Sequence, residues 1–193
     1  MGRPQLAEVE KNAFRESVAK EALNLLDEEG ASNLTLRRLA ARLGCSYAKP
    51  YRYFRDKADV IDAARERAFN RFADHAERSA ADGPLSGASY IEFVVENREA
   101  YRVMFEMEQE YVSAETRAAE DRAWRAWSRQ IHEMVARLEL PGDPETIAHI
   151  VWAALHGLAS LHLADKLSHG RSLEDVLGGL AAALGFAPEG KGA

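Results

Sequence analysis

Residues Leu34–Lys57 read LTLRRLAARLGCSYAKPYRYFRDK. Seven of these twenty-four side chains are Lys or Arg and one, Asp56, is acidic, although the whole 193-residue chain carries a net charge of −6. Thr35 suits a helix N-cap, and Leu36, Leu39, Ala40 and Leu43 follow at the i, i+3, i+4, i+7 spacing of a buried helical face. Gly44 ends that helix. A second short helix is predicted from about Tyr47 to Phe54, with Pro50 in its first turn, where a missing N–H leaves no bond unmade. Two short helices joined by Gly44-Cys45-Ser46 make a helix-turn-helix, the motif that offers its second helix to a groove of duplex DNA.

The exposed side chains of this motif suit that task. Arg37 and Lys49 can donate to guanine N7 and O6. Tyr47 pairs an apolar ring, able to touch a thymine methyl, with a hydroxyl, and Ala48 lets the backbone come close. Thr35, Tyr51, Arg52, Tyr53 and Lys57 are placed to bond phosphates, contacts that set register without reading sequence. The charge is local. Residues 1–57 hold eleven Lys/Arg against eight Asp/Glu, a net of +3, while the remainder holds fourteen against twenty-three, a net of −9. One face meets a polyanion, and the protein as a whole is not basic.

Outward from the motif, nearly every segment has helical period and none alternates like a strand. Phe14, Val18, Ala22 and Leu25 stripe a preceding helix that Gly30 ends. Asp56 and Asp59 open a long helix reaching about Arg78. AADGPLSG (80–87) breaks the pattern, and helices follow at about 88–96, 98–107, 113–138, 144–166 and 173–186. Ser113, Asp143-Pro144 and Ser172 with Asp175 mark three of their starts. The helix 144–166 has one apolar stripe in Ile147, Ile150, Val151, Ala154, Leu158 and Leu161. A second is formed by Trp152, His156, Ala159 and Leu163. A helix apolar on two sides needs cover on two sides. With the Gly- and Ala-rich helix 173–186 it is expected to form a homodimer interface.

Composition bounds the rest. Hydrophobic residues at 47% and charged residues at 29% are globular values. No signal peptide is apparent at the N-terminus, no window approaches the roughly 20 apolar residues of a membrane span, and one cysteine, Cys45, permits no intrachain disulfide. The expectation is a soluble, cytoplasmic protein without membrane association.

The stretch 19–64, AKEALNLLDEEGASNLTLRRLAARLGCSYAKPYRYFRDKADVIDAA, resembles the DNA-binding domain of the TetR family of transcriptional repressors. The Gly30 turn, LTLRRLA, LG, YRYF and DK carry the likeness. EAYRVMFE (99–106) and VWAALHGLASLHLADKL (151–167) resemble a subgroup with a Trp…His-Gly signature, here Trp152, His156 and Gly157. Cys45 and Pro50 depart from the commoner family residues at their positions. The resemblance implies an all-α chain with a three-helix DNA-binding domain over 1–56. It also implies a larger helical regulatory and dimerisation domain, placed over 57–187, and the composition of the tail over 188–193 predicts disorder there. It further implies a dimer on a palindromic operator, with Arg37, Tyr47, Ala48 and Lys49 near bases and Tyr51, Tyr53 and Lys57 on phosphates. A small-molecule effector of unspecified identity would release it.

For that effector, Tyr101, Met104, Phe105, Trp124, Trp127, Trp152 and His156 are the candidate pocket residues, each with a core role as the alternative. Six histidines show no His-x-x-x-His spacing, so no metal site is expected, and no cofactor. Cys45 reads as a small buried hydrophobe, with a redox switch as the alternative. No nucleophile motif, phosphate loop or nucleotide fingerprint supports an enzyme. The competing reading is a helical small-molecule-binding protein or enzyme without sequence-specific DNA binding.

Overall fold

The computed structural model describes residues 3–81, 87–108, 110–167 and 170–183. Among them are α1 (Arg3–Glu29), α2 (Leu36–Arg42), α3 (Lys57–Ala81), α4 (Gly87–Glu96) and α5 (Arg98–Phe105). After these come α6 (Ala114–Arg137), α7 (Pro144–Leu163) and α8 (Leu173–Ala183), and no strand occurs among the described residues. Two 3-10 turns, Ala31–Asn33 and Pro50–Arg52, complete the N-terminal part. The chain is all-α, with a helix-turn-helix N-terminal domain and a larger helical C-terminal domain. Most predicted helices recur within a few residues. The residues 184–186 assigned to the last helix, most of the break at 80–87 and the tail 188–193 lie outside the described residues.

The sequence explains where these helices start and stop. Gly30 (φ 77°) closes α1, its N–H donating to Leu26 O at 2.9 Å. Thr35 caps α2 by accepting from Arg38 N at 3.2 Å. At the other end of α2, Gly44 (φ 62°) donates to Ala41 O and Cys45 to Ala40 O, the paired bonds of a Schellman stop. Asp56 Oδ1 accepts from Asp59 N at the head of α3, and Asp143 accepts from Thr146 N at the head of α7. Those Thr146 bonds hold the Asp143 carboxyl below its ordinary range. Ser172 and Asp175 form the reciprocal capping box.

The second predicted helix of the motif is corrected. Residues 47–49 form a turn and Pro50–Arg52 a single 3-10 turn. Pro50 has no N–H to give to Ser46 O, which instead accepts from Lys49 N at 2.9 Å. Arg52 N and Tyr53 N likewise reach back three residues, and Phe54 N alone among these bonds reaches four. The tertiary amide therefore tightens the segment instead of starting an α-helix.

Two compact units emerge. The first comprises residues 1–71 and 97–122. Val18, Ala22, Leu25 and Leu26 of α1 meet Leu34, Leu36, Leu39 and Phe54, with Val60 and Ala64 of α3 and Val103 of α5 closing the core. Each buried Leu or Phe contributes about 1.5–3 kcal/mol, so α5 belongs to the stability of the motif. Residues 57–71 also fall in this unit, so the compact units do not follow a border at 57.

The second unit comprises residues 72–96 and 123–193. Phe72 of α3 packs edge-on to Tyr90 and Phe93 of α4 at 5.7 and 5.0 Å, and Tyr90 meets Trp127 of α6 at 5.5 Å. Helix α7 lies on α4 and buries Ala148, Val151, Leu155, Leu158 and Ala159. Gly87 permits this approach, since a Cβ there would come within 2.9 Å of Leu155 Cδ2. Contrary to the sequence expectation, α7 is long and apolar enough to span a bilayer by length and composition. One stripe of α7 is buried, and such length and composition are by themselves weak evidence of a span.

Candidate nucleic-acid interface

The basic residues of the motif divide into two groups. Arg42 on α2 is held by Glu21 and by Glu28 of α1, the latter at 2.6 and 3.0 Å. Arg42 in turn holds the Glu28 carboxyl below its ordinary range, and the two glutamates raise the Arg42 guanidinium further. Arg38 pairs with Glu29 and donates to Asn33 Oδ1 at 3.1 Å. Arg55 faces Asp59 at 3.6 Å. These three cations are spoken for by carboxylates.

Arg37, Lys49, Arg52 and Lys57 form the second group, all exposed. The Arg37 guanidinium lies 5.1 Å from the centroid of the Tyr47 ring. Lys49 Nζ sits 4.4 Å above Phe14 of α1, and Lys57 Nζ donates to Ala31 O at 2.6 Å. An ammonium has three donors, so Lys57 retains capacity for a phosphate. Tyr47 and Tyr51 are 57% and 59% exposed, so both rings stand open to solvent beside these cations. Ala48 is exposed beside them, and Thr35 remains exposed while capping α2.

Tyr53 is placed differently. It is half-buried, its ring 4.8 Å from Phe14, and its carbonyl accepts from Arg15 Nη1 at 2.5 Å. Arg15 also lies 4.4 Å over Phe54 and donates to Asp59 Oδ1 at 3.3 Å. Phe14 and Arg15 therefore support the reading turn from α1, a role the sequence reading missed. The only signal available was an aromatic next to an arginine on the buried stripe. Cys45 is half-buried, less enclosed than the core role expected for it.

The candidate pocket residues are not gathered in one unit. Tyr101 and Met104 are buried in the first, with Phe105 half-buried beside Tyr101 and Phe69 at 5.3 and 5.9 Å. Trp124, Trp127, Trp152 and His156 belong to the second. There Trp127 is fully buried, while Trp124 contacts His149 and Trp152 and donates to Glu145 Oε1 at 3.0 Å. The Trp152 and His156 rings lie tilted to each other with centroids 5.6 Å apart. A cleft of about 660 Å³ in the first unit is lined by charged side chains of α1 and α3, with Tyr111 and Glu115. Within it, burial and the Glu115 charge raise the Glu66 carboxyl above its ordinary range.

Residues 19–64 match the family described as bacterial regulatory proteins, tetR family, and residues 85–184 match the tetracyclin repressor-like C-terminal domain. The chain belongs to the TetR family. An HTH-type transcriptional regulator of Staphylococcus aureus is 36% identical over 58 residues, 30% of this chain and 31% of that protein. The chain thus matches about a third of the length of these curated relatives. A solved protein of unknown function from Rhodococcus sp. RHA1 superposes with a TM-score of 0.75 at 25% identity, covering 88% of this chain and 92% of that one. SmeT, solved with triclosan, gives 0.61 at 19% identity over 94% and 95% of the two chains, a likeness of fold. TetR-family proteins are transcriptional regulators and not enzymes, and they bind DNA as dimers and respond to small molecules.

Proposed function

We propose that this regulator binds a palindromic operator as a homodimer, acts as a repressor, and is released by a small-molecule effector. One observation carries the reading: on a single short segment, Arg37, Lys49 and Arg52 are exposed with no carboxylate partner among the described residues, beside two exposed tyrosines, while their basic neighbours Arg38 and Arg42 are paired with glutamates. Arg37, Tyr47, Ala48 and Lys49 read base edges, and Thr35, Tyr51, Arg52, Tyr53 and Lys57 hold phosphates. The reading domain covers 1–56 and the regulatory and dimerisation domain 57–187, in the Trp152…His156-Gly157 subgroup, and the protein works in the cytoplasm.

Dimerisation runs through the helices predicted at 144–166 and 173–186. In favour of this, Ile150 and Leu161 of α7 are 52% and 47% exposed, and α8, rich in Leu, Ala and Gly, buries no side chain. Two copies would then set their reading turns about 34–36 Å apart, one turn of duplex. The effector is an apolar molecule received by Trp124, Trp127, Trp152 and His156 of the second unit, and SmeT, a protein alike in fold, has been solved as a complex with the small molecule triclosan. It favours a pose that no longer fits successive major grooves, and only its differential affinity for the two poses can drive release.

Selection of bound duplexes from random DNA tests this reading. A palindromic consensus is expected, and Lys49→Ala with Tyr47→Ala should lower operator affinity far more than affinity for random duplex. Equal affinity for all duplexes in the unmutated protein would refute it.

A further inference from the structure

Three charged side chains on α3 are buried one turn apart: Asp59 (8% exposed), Asp62 (1%) and Arg65 (1%). The i, i+3 spacing sets them along one ridge of the helix. A buried charge is costly unless paired and hydrogen-bonded, so what each one holds is informative. Arg65 Nε donates to Val103 O at 2.9 Å, and its Nη2 to Met107 O at 3.1 Å and Glu108 O at 3.5 Å. These carbonyls close the end of α5, where the helix dipole also favours a cation. Burial weakens the hold of Arg65 on its proton, and Asp62 and Glu120 act against that.

Asp62 grips the next helix. Its Oδ1 accepts from Ser113 N and its carbonyl from Thr116 Oγ1, both at 3.2 Å. Ser113 Oγ in turn caps α6 by accepting from Thr116 N at 3.1 Å. One turn earlier, Asp59 accepts from Arg15 Nη2 and from Arg55 N. Arg15 then reaches Tyr53 O, at the end of the reading turn. Val103 is meanwhile fully buried in the core that holds α1, α2 and Phe54. Two sets of hydrogen bonds therefore meet on α3, one fixing the α5–α6 junction at Asp62 and Arg65 and the other fixing the reading turn at Asp59, and the backbone of α3 joins them.

We propose that Asp62 and Arg65 are positioning residues for DNA recognition. They lock the α5–α6 junction to α3, and Asp59 and Arg15 carry a displacement of α3 to the reading turn. A planar guanidinium fork satisfies three carbonyls in one geometry only. Movement of the end of α5 by about 1 Å breaks these bonds, so the junction is either latched or released, as packed elements commonly behave. The proposal rests on the DNA-binding reading above.

The test uses the full chain and a duplex obtained by selection. Amide hydrogen exchange is followed in residues 103–108 and 110–117 with and without that duplex, for the unmutated protein and for Arg65→Lys, which keeps the charge and loses the fork. Operator binding should slow exchange there about threefold or more, although none of these residues is assigned to the DNA. Arg65→Lys should abolish that response and narrow the ratio of operator to random-duplex affinity by about tenfold, a change that lost stability alone would not produce. Should Arg65→Lys fail to fold, the unmutated protein with and without duplex still decides. Unchanged exchange on binding a selected duplex, or an intact response in Arg65→Lys, overturns the coupling alone. Failure to select any duplex overturns the DNA-binding reading and the coupling with it.

Discussion

Neutralisation of Arg38, Arg42 and Arg55 has a measurable consequence in the salt dependence of DNA binding. Counting every Lys and Arg in 34–57 gives seven cations per chain, which as phosphate contacts in a dimer would make log Kobs fall against log salt with a slope of about −13. Counting only Arg37, Lys49, Arg52 and Lys57, the cations with no carboxylate partner among the described residues, and letting each displace one counterion whether it meets a base edge or a phosphate, gives about −7. Between 50 and 200 mM salt, the second slope corresponds to a loss of about 10⁴-fold in affinity, and the first to nearly 10⁸-fold. Fluorescence anisotropy of a labelled duplex across that range separates the two. Arg52→Ala should make the slope shallower by about 2 units per dimer, and Arg38→Ala should leave it within error. A slope near −13, or an Arg38→Ala slope that falls as far as that of Arg52→Ala, would refute the partition of charge argued from the α1 glutamates.

Three further outcomes follow from single contacts. Thr35→Ala removes the α2 cap and should cost about 1 kcal/mol, lowering the melting temperature by roughly 2–4 °C, while Thr35→Ser should restore it in calorimetry. Ile150→Glu with Leu161→Glu places charge on the proposed interface and should yield monomers by sedimentation at micromolar protein, with helical content retained. Glu66 is raised above its ordinary value, so its folded form favours the proton. Its destabilising charge is absent below the unfolded value and fully present above the folded one. Stability should therefore fall as pH rises through that window, and Glu66→Gln should flatten this segment of the curve and melt slightly higher at neutral pH. A steeper pH dependence in Glu66→Gln would show that the sign is wrong.

Much of the fold could be read from capping chemistry. Thr35, Asp143, Ser172 and the glycines 30 and 44 act through neighbours three to five residues away, so local spacing suffices to find them. The form of the reading segment was less accessible, because Pro50 is compatible both with a first helical turn and with the 3-10 turn observed. Fully opaque were features made by residues distant along the chain. Nothing near Arg42 announces Glu21 and Glu28, and Asp59, Asp62 and Arg65 have the spacing of an ordinary solvated face. Burial converts them into anchors, with partners supplied by α1, by α5 and the residues just after it, and by the head of α6. Likewise the candidate pocket residues share a composition, yet they fall in different compact units.

The reading turn is steadied from outside itself: Phe14 lies beneath Lys49 and Tyr53, and Arg15 fastens the Tyr53 carbonyl. A segment so short owes little of its shape to its own backbone ladder. On the proposed DNA-binding reading, drift in operator preference between lineages can therefore begin at positions 14 and 15, where a substitution alters the angle of presentation while every side chain proposed to face the groove stays the same. Alignments confined to the base-contacting residues would class such diverged regulators as identical.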